Sequence, residues 1–164
     1  MSRKLSILGL VFTLAGVAGF SLIAWAQPGQ VDYPEGYRQW THLKSMVIQK
    51  GHPLENPFQG IHHVYANPKA EKGLKSGNYE NGSVFVFDLL KAQDAGSALA
   101  EGPRKLVGVM KKDKKQFQST GGWGFEGFAG DSTTQRLVSD GGVGCYQCHT
   151  SQESKDFVFS TFRK

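Results

Sequence analysis

The sequence has 164 residues, a formal net charge of +5 and 39% hydrophobic residues. A chain of this length is sufficient for one domain with one buried core. The mild positive charge comes without aromatic or groove-reading elements, which argues against a nucleic-acid partner.

Residues 1–26 have the pattern of a secretory signal peptide. A short basic start precedes an apolar stretch from 5 to 24, and Ala24-Trp25-Ala26 supplies the small-x-small pattern of a cleavage site. We therefore predict cleavage before Gln27, which leaves 27–164 as a single mature domain. The alternative is an uncleaved membrane anchor, because the apolar stretch is about as long as a minimal spanning helix. In either case the domain lies outside the cytoplasm, and we expect a periplasmic protein.

Strand patterns dominate the mature chain after a lead-in that contains proline and glycine. The predicted elements, in chain order, are a helical turn at 37–40, a strand at 43–48, a loop at 52–58, a strand at 61–66, a helix at 68–75, strands at 83–90, 105–110 and 121–128, and a short strand at 157–162. Asn67 and Pro68 provide the helix start, and Asn81-Gly82 provides a hairpin-type turn. This order predicts an α+β fold, mainly an antiparallel β-sheet with a few short helices.

The most specific motif is Cys145-Tyr146-Gln147-Cys148-His149, which has the Cys-x-x-Cys-His spacing of c-type haem attachment. Each thiol can add to one porphyrin vinyl group, and His149 then provides the proximal iron ligand. A redox dithiol, a structural disulfide and half of a zinc site are the alternatives. The chain has no second cysteine pair for zinc and no surrounding βαβ pattern for a dithiol enzyme. We therefore predict one covalent haem c per chain.

Beyond this motif, the chain resembles the family of cytochrome P-460 and cytochrome c′-beta. The resemblance covers most of the mature chain and rests on Tyr-Pro-Glu-Gly-Tyr at 33–37, Pro57-Phe58, Ile-His-His-Val-Tyr at 61–65, Asn67-Pro68, Asn-Gly-Ser-Val at 81–84, Gly122-Trp123 with Phe125, the terminal haem motif and Phe-Val-Phe at 157–159. It implies a dimeric, mainly β haem protein with His149 as the proximal ligand and a distal iron position that is open or weakly occupied.

The resemblance also separates two branches of the family at Phe87. The hydroxylamine-oxidising branch carries a lysine that cross-links to the porphyrin, and the alignment places Phe87 at that position. The c′-beta branch covers the distal face with two phenylalanines, and Phe58 and Phe87 occupy similar positions. An apolar cap of this kind suits a neutral diatomic ligand such as nitric oxide. Without the resemblance, both side chains would be interpreted as ordinary core residues, because aromatic residues in strands are mostly core.

His62 and Asp140 are the candidate catalytic residues. The resemblance places His62 where the enzymatic branch has an arginine, so its imidazole could hydrogen-bond a ligand, move a proton or bind the iron. His62 and His63 are adjacent on a strand, so they should face opposite sides of the sheet. Asp140 precedes the haem motif and is a candidate general base, with a solvated loop position as the alternative. Arg104 and Arg136 are candidates for pairing with the haem propionates.

Three functions remain open at this point: a gas-binding cytochrome of the c′-beta type, an oxidoreductase acting on hydroxylamine or a related compound, and an electron carrier. A carrier requires a sixth iron ligand, for which His62, Met46 and Met110 are the candidates. A possible electron-transfer partner could dock at the lysines between 111 and 115, which we predict to form a solvated turn. We favour the first function, in an exported homodimer.

Overall fold

A computed structural model describes residues 30–163 of the chain. These residues form a five-stranded antiparallel sheet in which the strands lie in chain order. The strands are β1 (Thr41–Ile48), β2 (Gly60–Ala66), β3 (Val84–Asp94), β4 (Leu99–Lys112) and β5 (Trp123–Ala129). The predicted α+β fold is confirmed, whereas the predicted signal peptide, residues 1–26, lies outside the described residues.

Three short α-helices and three 3₁₀ turns complete the fold of residues 30–163. The helices are α1 (Glu55–Phe58), α2 (Pro68–Ser76) and α3 (Val143–His149), and the 3₁₀ turns are Tyr37–Gln39, Gln118–Thr120 and Thr150–Lys155. Helix α2 begins as predicted, because the Asn67 side chain accepts a hydrogen bond from the Ala70 amide at 2.9 Å. It ends at Gly77, whose φ of 76° is readily adopted only by glycine. No helix within residues 30–163 is long and apolar enough to cross a membrane.

One face of the sheet packs against α3 and is called here the α3 face. Tyr146 of α3 lies against a buried cluster on this face, which consists of Ala66, Ala70, Tyr79, Phe85, Met110, Trp123, Phe125, Phe157 and Val158. Alternation along β2 and β3 brings His62 and Phe87 to the same face. The α3 face therefore carries both the predicted haem motif and the predicted distal residues.

The opposite face, called here the N-terminal face, is covered by the segment 31–40. Its buried cluster consists of Val31, Tyr37, Val86, Val107, Val109, Phe117 and Phe128. A fully buried carboxylate, Asp88, lies on this face and accepts hydrogen bonds from Tyr37, Arg38 and Arg104 at 2.7–2.8 Å. Three donors to one carboxylate satisfy the charge that burial would otherwise penalise.

The hairpin formed by β3 and β4 is longer than the sequence predicted. We expected strands at 83–90 and 105–110, but the pairing continues to Asp94 on β3 and starts at Leu99 on β4. Residues 91–101 are all exposed, so neither side of this extension needs apolar side chains. The alternation that identifies half-buried strands is therefore missing from that part of the sequence.

Two predicted segments near the loops are corrected by the structure. The predicted loop 52–58 ends in a helical turn, α1, which brings Phe58 towards the sheet. The predicted strand 157–162 is not a strand, because Phe157 has a φ of 66° and turns its carbonyl towards α3. Both errors come from tertiary contacts, which local patterns do not contain.

Lys112 is a further correction, because we expected it in a solvated turn with its neighbouring lysines. Its side chain is 2% exposed, and Nζ lies 2.7 and 2.8 Å from the two carboxylate oxygens of Asp156. Lys112 is the last residue of β4 and pairs with Trp123 on β5, so its side chain enters the α3-face core. Lys114 and Lys115, beyond the strand, are exposed as predicted.

Candidate haem site

Helix α3 contains the whole Cys-x-x-Cys-His motif at the edge of the α3 face. Cys145 and Cys148 are exposed and are not joined in a disulfide, so both thiols are available for covalent attachment. Gly142 precedes the helix with a φ of 86°, and a Cβ placed on it would lie 3.0 Å from the Phe125 Cβ. A glycine therefore allows α3 to approach β5 closely enough to seat the motif on the sheet.

The imidazole of His149 has the environment of an axial ligand. Its Nδ1 lies 2.7 Å from the carbonyl oxygen of Phe157, an arrangement in which Nδ1–H donates and Nε2 is left to bind a metal. Phe125 and Phe159 flank the ring, each with a centroid separation of 5.0 Å. Burial lowers the pKa of His149, with a smaller opposing effect from the Phe157 carbonyl, and this favours the neutral form that metal binding requires.

The predicted distal residues lie together on the α3 face. Phe87 on β3 pairs with Val64 on β2, and His62 lies two residues before Val64 on the same face. The rings of His62 and Phe87 are 4.4 Å apart between centroids. Phe58, at the end of α1, contacts Phe87 edge-on at 5.6 Å. The fold therefore brings these three residues into one aromatic group.

Neither phenylalanine belongs to the two buried cores of the sheet. Phe58 and Phe87 are half-buried, which distinguishes them from core residues such as Phe85 or Phe128. The turn that carries Phe58 is held in place by Lys105, whose Nζ donates to the carbonyls of Pro57 and Gln59, both at 2.8 Å. The aromatic group thus presents a positioned apolar surface that a further apolar group can cover.

His62 is almost completely buried, with 2% of its surface exposed. Burial, with smaller contributions from Lys44 and His63, lowers the pKa of His62 to about 4. The imidazole is therefore neutral at neutral pH. Its Nδ1 has no hydrogen-bond partner among the described residues, and such an atom normally has one. His63 points away, as predicted, and bonds Ser45 and Glu101 instead.

The surroundings of α3 fit a large apolar group. Beside Phe87 the sheet carries Gly108 and Gly127 on the same face, so no side chains project there. Three large apolar side chains near the motif, Leu137, Val143 and Phe159, are 44–50% exposed. A porphyrin would cover apolar surface that otherwise faces water. Together with the unpaired thiols and the orphaned Nδ1 of His62, these features satisfy the requirements of a haem.

Asp140 lies at the start of α3, where backbone amides bind its carboxylate. Its two oxygens accept hydrogen bonds from the amides of Gly142 at 2.9 Å and Gly144 at 2.8 Å. These bonds lower the pKa of Asp140, which makes the carboxylate a weaker base. Through these contacts, Asp140 stabilises the start of α3. Its role as a general base stays a prediction.

The arginines expected to bind haem propionates lie elsewhere. Arg104 bonds Asp88 and Asp131, and Arg136 bonds Glu126 at 2.7 Å. Asp88 and Glu126 both occupy the N-terminal face. Neighbouring carboxylates that the sequence does not reveal neutralise both guanidinium groups, and their pairing with propionates stays a prediction.

Sequence reasoning missed a cation on the α3 face. Lys44 of β1 lies opposite Val64 and is half-buried. It forms no salt bridge with any of residues 30–163, and burial, together with the nearby Arg163, lowers its pKa. An alternating strand places Lys44 on this face, but only the fold shows that no carboxylate among the described residues pairs with it.

The family model described as Cytochrome P460 matches residues 34–160 of the chain. The chain belongs to the cytochrome P460 family. The match includes all five strands, the aromatic group of Phe58, His62 and Phe87, and the motif on α3. Membership of the cytochrome P460 family makes this protein a haem cytochrome and confirms the family predicted from the sequence motifs. Among curated proteins, none matches the chain.

Proposed function

We propose that this member of the cytochrome P460 family is an exported c-type cytochrome that binds nitric oxide at an apolar distal pocket. The observation that carries the proposal is the position of Phe87. It lies beside His62 and Phe58 on the face of the sheet that holds the Cys-x-x-Cys-His helix. Phenylalanine there is incompatible with a lysine–porphyrin cross-link and leaves an apolar cap.

On the proximal side, Cys145, Cys148 and His149 would hold the haem. Each thiol would add S–H across a vinyl double bond, which would form two thioethers and release no leaving group. His149 would offer Nε2 to the iron, oriented by the bond from Nδ1 to the Phe157 carbonyl. When bound, haem would supply a redox-active iron that can bind a small ligand. Lys44 on the α3 face is the proposed partner of a propionate.

On the distal side, the residues select the ligand by polarity. Phe58 and Phe87 offer no hydrogen bond, and they exclude water from the space they cover. His62 is neutral at neutral pH, so its ring supplies no positive charge to stabilise an anionic ligand. Neutral diatomic molecules tolerate this environment, whereas charged oxygen species lack stabilisation. This difference supports nitric oxide as the ligand class.

A second candidate function is the oxidation of hydroxylamine or a related nitrogen compound. The buried Nδ1 of His62, which has no partner among residues 30–163, favours it, because a neutral imidazole can accept a substrate proton. Asp140 is the second candidate base. Simple electron transfer has less support, because Met110 is packed in the α3-face core and Met46 is 39% exposed on an edge strand.

Export, cleavage before Gln27, a periplasmic location and a homodimer complete the proposal. The N-terminal pattern supports export, cleavage and the periplasmic location. The family resemblance supports the homodimer. Intact mass of protein purified from a periplasmic fraction, together with its mass in solution, tests them: a start at Gln27, one haem per chain and a dimeric mass are the expected results.

The deciding experiment is absorption spectroscopy of the purified protein in the ferric and ferrous states, with and without nitric oxide. The proposal is supported by a high-spin ferrous spectrum that changes when nitric oxide is added. Addition of hydroxylamine alone should leave the spectrum unchanged. A ferrous Soret band moved far to the red indicates a cross-link and contradicts the assignment of Phe87. A low-spin spectrum in both states indicates a sixth protein ligand and electron transfer. Cys145→Ser and Cys148→Ser should each remove one thioether.

A further inference from the structure

The carbonyl that orients His149 belongs to a segment with an unusual backbone. Asp156 and Phe157 have φ values of 51° and 66°, and they are the only non-glycine residues with positive φ among residues 30–163. A residue with a Cβ adopts this left-handed region only at an energetic cost, because the Cβ approaches the following carbonyl oxygen. Two consecutive residues of this kind require other contacts to hold them.

Those contacts centre on the Asp156 carboxylate. Its oxygens lie 2.7 and 2.8 Å from Nζ of Lys112, and Oδ1 also accepts a hydrogen bond from the Trp123 indole at 3.2 Å. Lys112 Nζ donates to the Gly121 carbonyl as well, at 3.2 Å, and lies 4.7 Å from the centre of the Trp123 ring. Lys112 is 2% exposed and Trp123 is fully buried. The anchor of Asp156 is therefore part of the sheet.

We propose that Lys112 and Asp156 are positioning residues that fix the Phe157 carbonyl on Nδ1 of His149 and thereby set the strength of the axial bond to haem iron. The inference rests on the proposed function, since it requires His149 as the iron ligand. Lys112 ends β4, Asp156 binds it, and the next residue in the chain provides the carbonyl. The sheet is thus connected to the axial imidazole through one ion pair and one peptide unit.

The Lys112 ammonium group either stays paired with Asp156 or remains as an unpaired charge in the core. Its ammonium group is enclosed by Trp123, the Gly121 carbonyl and Asp156, so breaking the pair leaves a buried charge without its counter-ion. The pair therefore opposes relaxation of Asp156 and Phe157 to ordinary φ values. A hydrogen bond to the second imidazole nitrogen makes a histidine a stronger donor to its metal. Loss of the anchor should consequently weaken the iron–histidine bond and raise the reduction potential.

The test uses the haem-loaded protein and two variants, Asp156→Asn and Lys112→Met. Asparagine adopts positive φ more readily than most residues, so Asp156→Asn removes the charge with little demand on the backbone. Lys112→Met keeps an unbranched side chain against Trp123 and removes the ammonium group. The matched control is Glu71→Gln, which breaks the exposed Lys75–Glu71 pair on α2. Haem content, the ferrous iron–histidine stretching frequency and the reduction potential are measured for these four proteins and for the double variant of Lys112 and Asp156.

Both pair variants should retain covalent haem, show a lower iron–histidine stretching frequency and have a higher potential, while Glu71→Gln matches the wild type. The double variant should shift no further than the larger single shift, because both changes break one pair. If the variants hold haem but their frequency and potential equal those of the wild type, the inference is wrong and the proposed function stands. If the wild type holds no covalent haem, the proposed function fails. Should one variant not fold, the other decides.

Discussion

The imidazole of His62 and the phenyl ring of Phe87 lie 4.4 Å apart between centroids, on the face of the sheet that carries the haem motif. Their contact joins the one neutral, buried polar group of the proposed pocket to its apolar cap. Phe58 completes the group from α1. We expect the balance between these residues to determine which ligands the proposed pocket accepts, and the first two predictions separate their contributions.

Phe87→Ala should open the distal pocket to water. Removal of the ring takes away the surface that covers His62 and leaves a space with polar access. The ferric spectrum should change to that of a water-bound haem, and the association rate of nitric oxide should rise at least several-fold. Phe117→Leu is the control, because Phe117 is buried in the core of the N-terminal face and should alter stability alone. An unchanged ferric spectrum in Phe87→Ala would contradict the cap.

His62 should make the protein less stable in mild acid. Burial lowers its pKa to about 4 in the folded state, from 6.5, so the unfolded chain binds a proton first as the pH falls. The free energy of unfolding should therefore decrease between pH 6.5 and 4, by at most about 3 kcal/mol from this residue. Urea unfolding at several pH values measures the slope.

The same titration compares two histidine variants. His62→Leu should flatten the slope between pH 6.5 and 4, whereas His52→Asn should leave it unchanged, because His52 is exposed on a loop. Equal slopes in the wild type and His62→Leu would show that burial does not lower the pKa of His62, which would contradict its assignment as a residue that stays neutral in mild acid.

Asp88→Asn should destabilise the N-terminal face strongly. Asp88 is fully buried, and its charge balances Arg104, whose side chain is 15% exposed. Loss of one partner in such a pair costs on the order of 3–5 kcal/mol. Asp131→Asn is the control: its carboxylate also binds Arg104 but is 80% exposed, so the loss should be below about 1 kcal/mol. Comparable losses in the two variants would contradict a buried network centred on Asp88.

Protonation of Asp88 should also reduce the stability of the folded protein in stronger acid. Burial alone would raise its pKa, but hydrogen bonds from Arg104, Tyr37 and Arg38 outweigh burial and lower the pKa below 3.8. A carboxyl with a lowered pKa contributes its full stability above the unfolded value and loses it as the pH falls further. Acid unfolding monitored by circular dichroism should therefore show a component below about pH 4 that Asp88→Asn lacks.

Gly142→Ala should impair the seating of the haem motif more than Gly141→Ala does. Both glycines have positive φ, 86° and 68°, so both substitutions strain the backbone. Only at Gly142 would the new Cβ meet a neighbour, the Phe125 Cβ at 3.0 Å, while nothing lies within 4 Å at Gly141. Covalent haem per chain after expression should follow this order. Equal yields from the two variants would mean that α3 does not depend on close approach to β5.

The sequence by itself determined the features that depend on local chemistry. The spacing of Cys145, Cys148 and His149 identified the haem motif, because attachment requires residues close together on one turn. Asn67, Pro68 and Gly77 identified α2, because capping is local. Alternation along β2 correctly separated His62 from His63. The family resemblance, confirmed by the match over 34–160, identified Phe58 and Phe87 as a pair from the sequence alone.

Only the tertiary structure decided which groups meet across the sheet. Lys112 lies in a run of lysines that indicates solvent, yet β4 carries it into the core, where Asp156 binds it. Arg104 is a suitable propionate partner by residue type, yet Asp88 on the adjacent strand neutralises it. The carbonyl that orients His149 belongs to a residue expected in a strand. In each pairing the two residues are at least eight positions apart in the chain. The energy of the pairing therefore depends on burial and on partners that no local sequence pattern records.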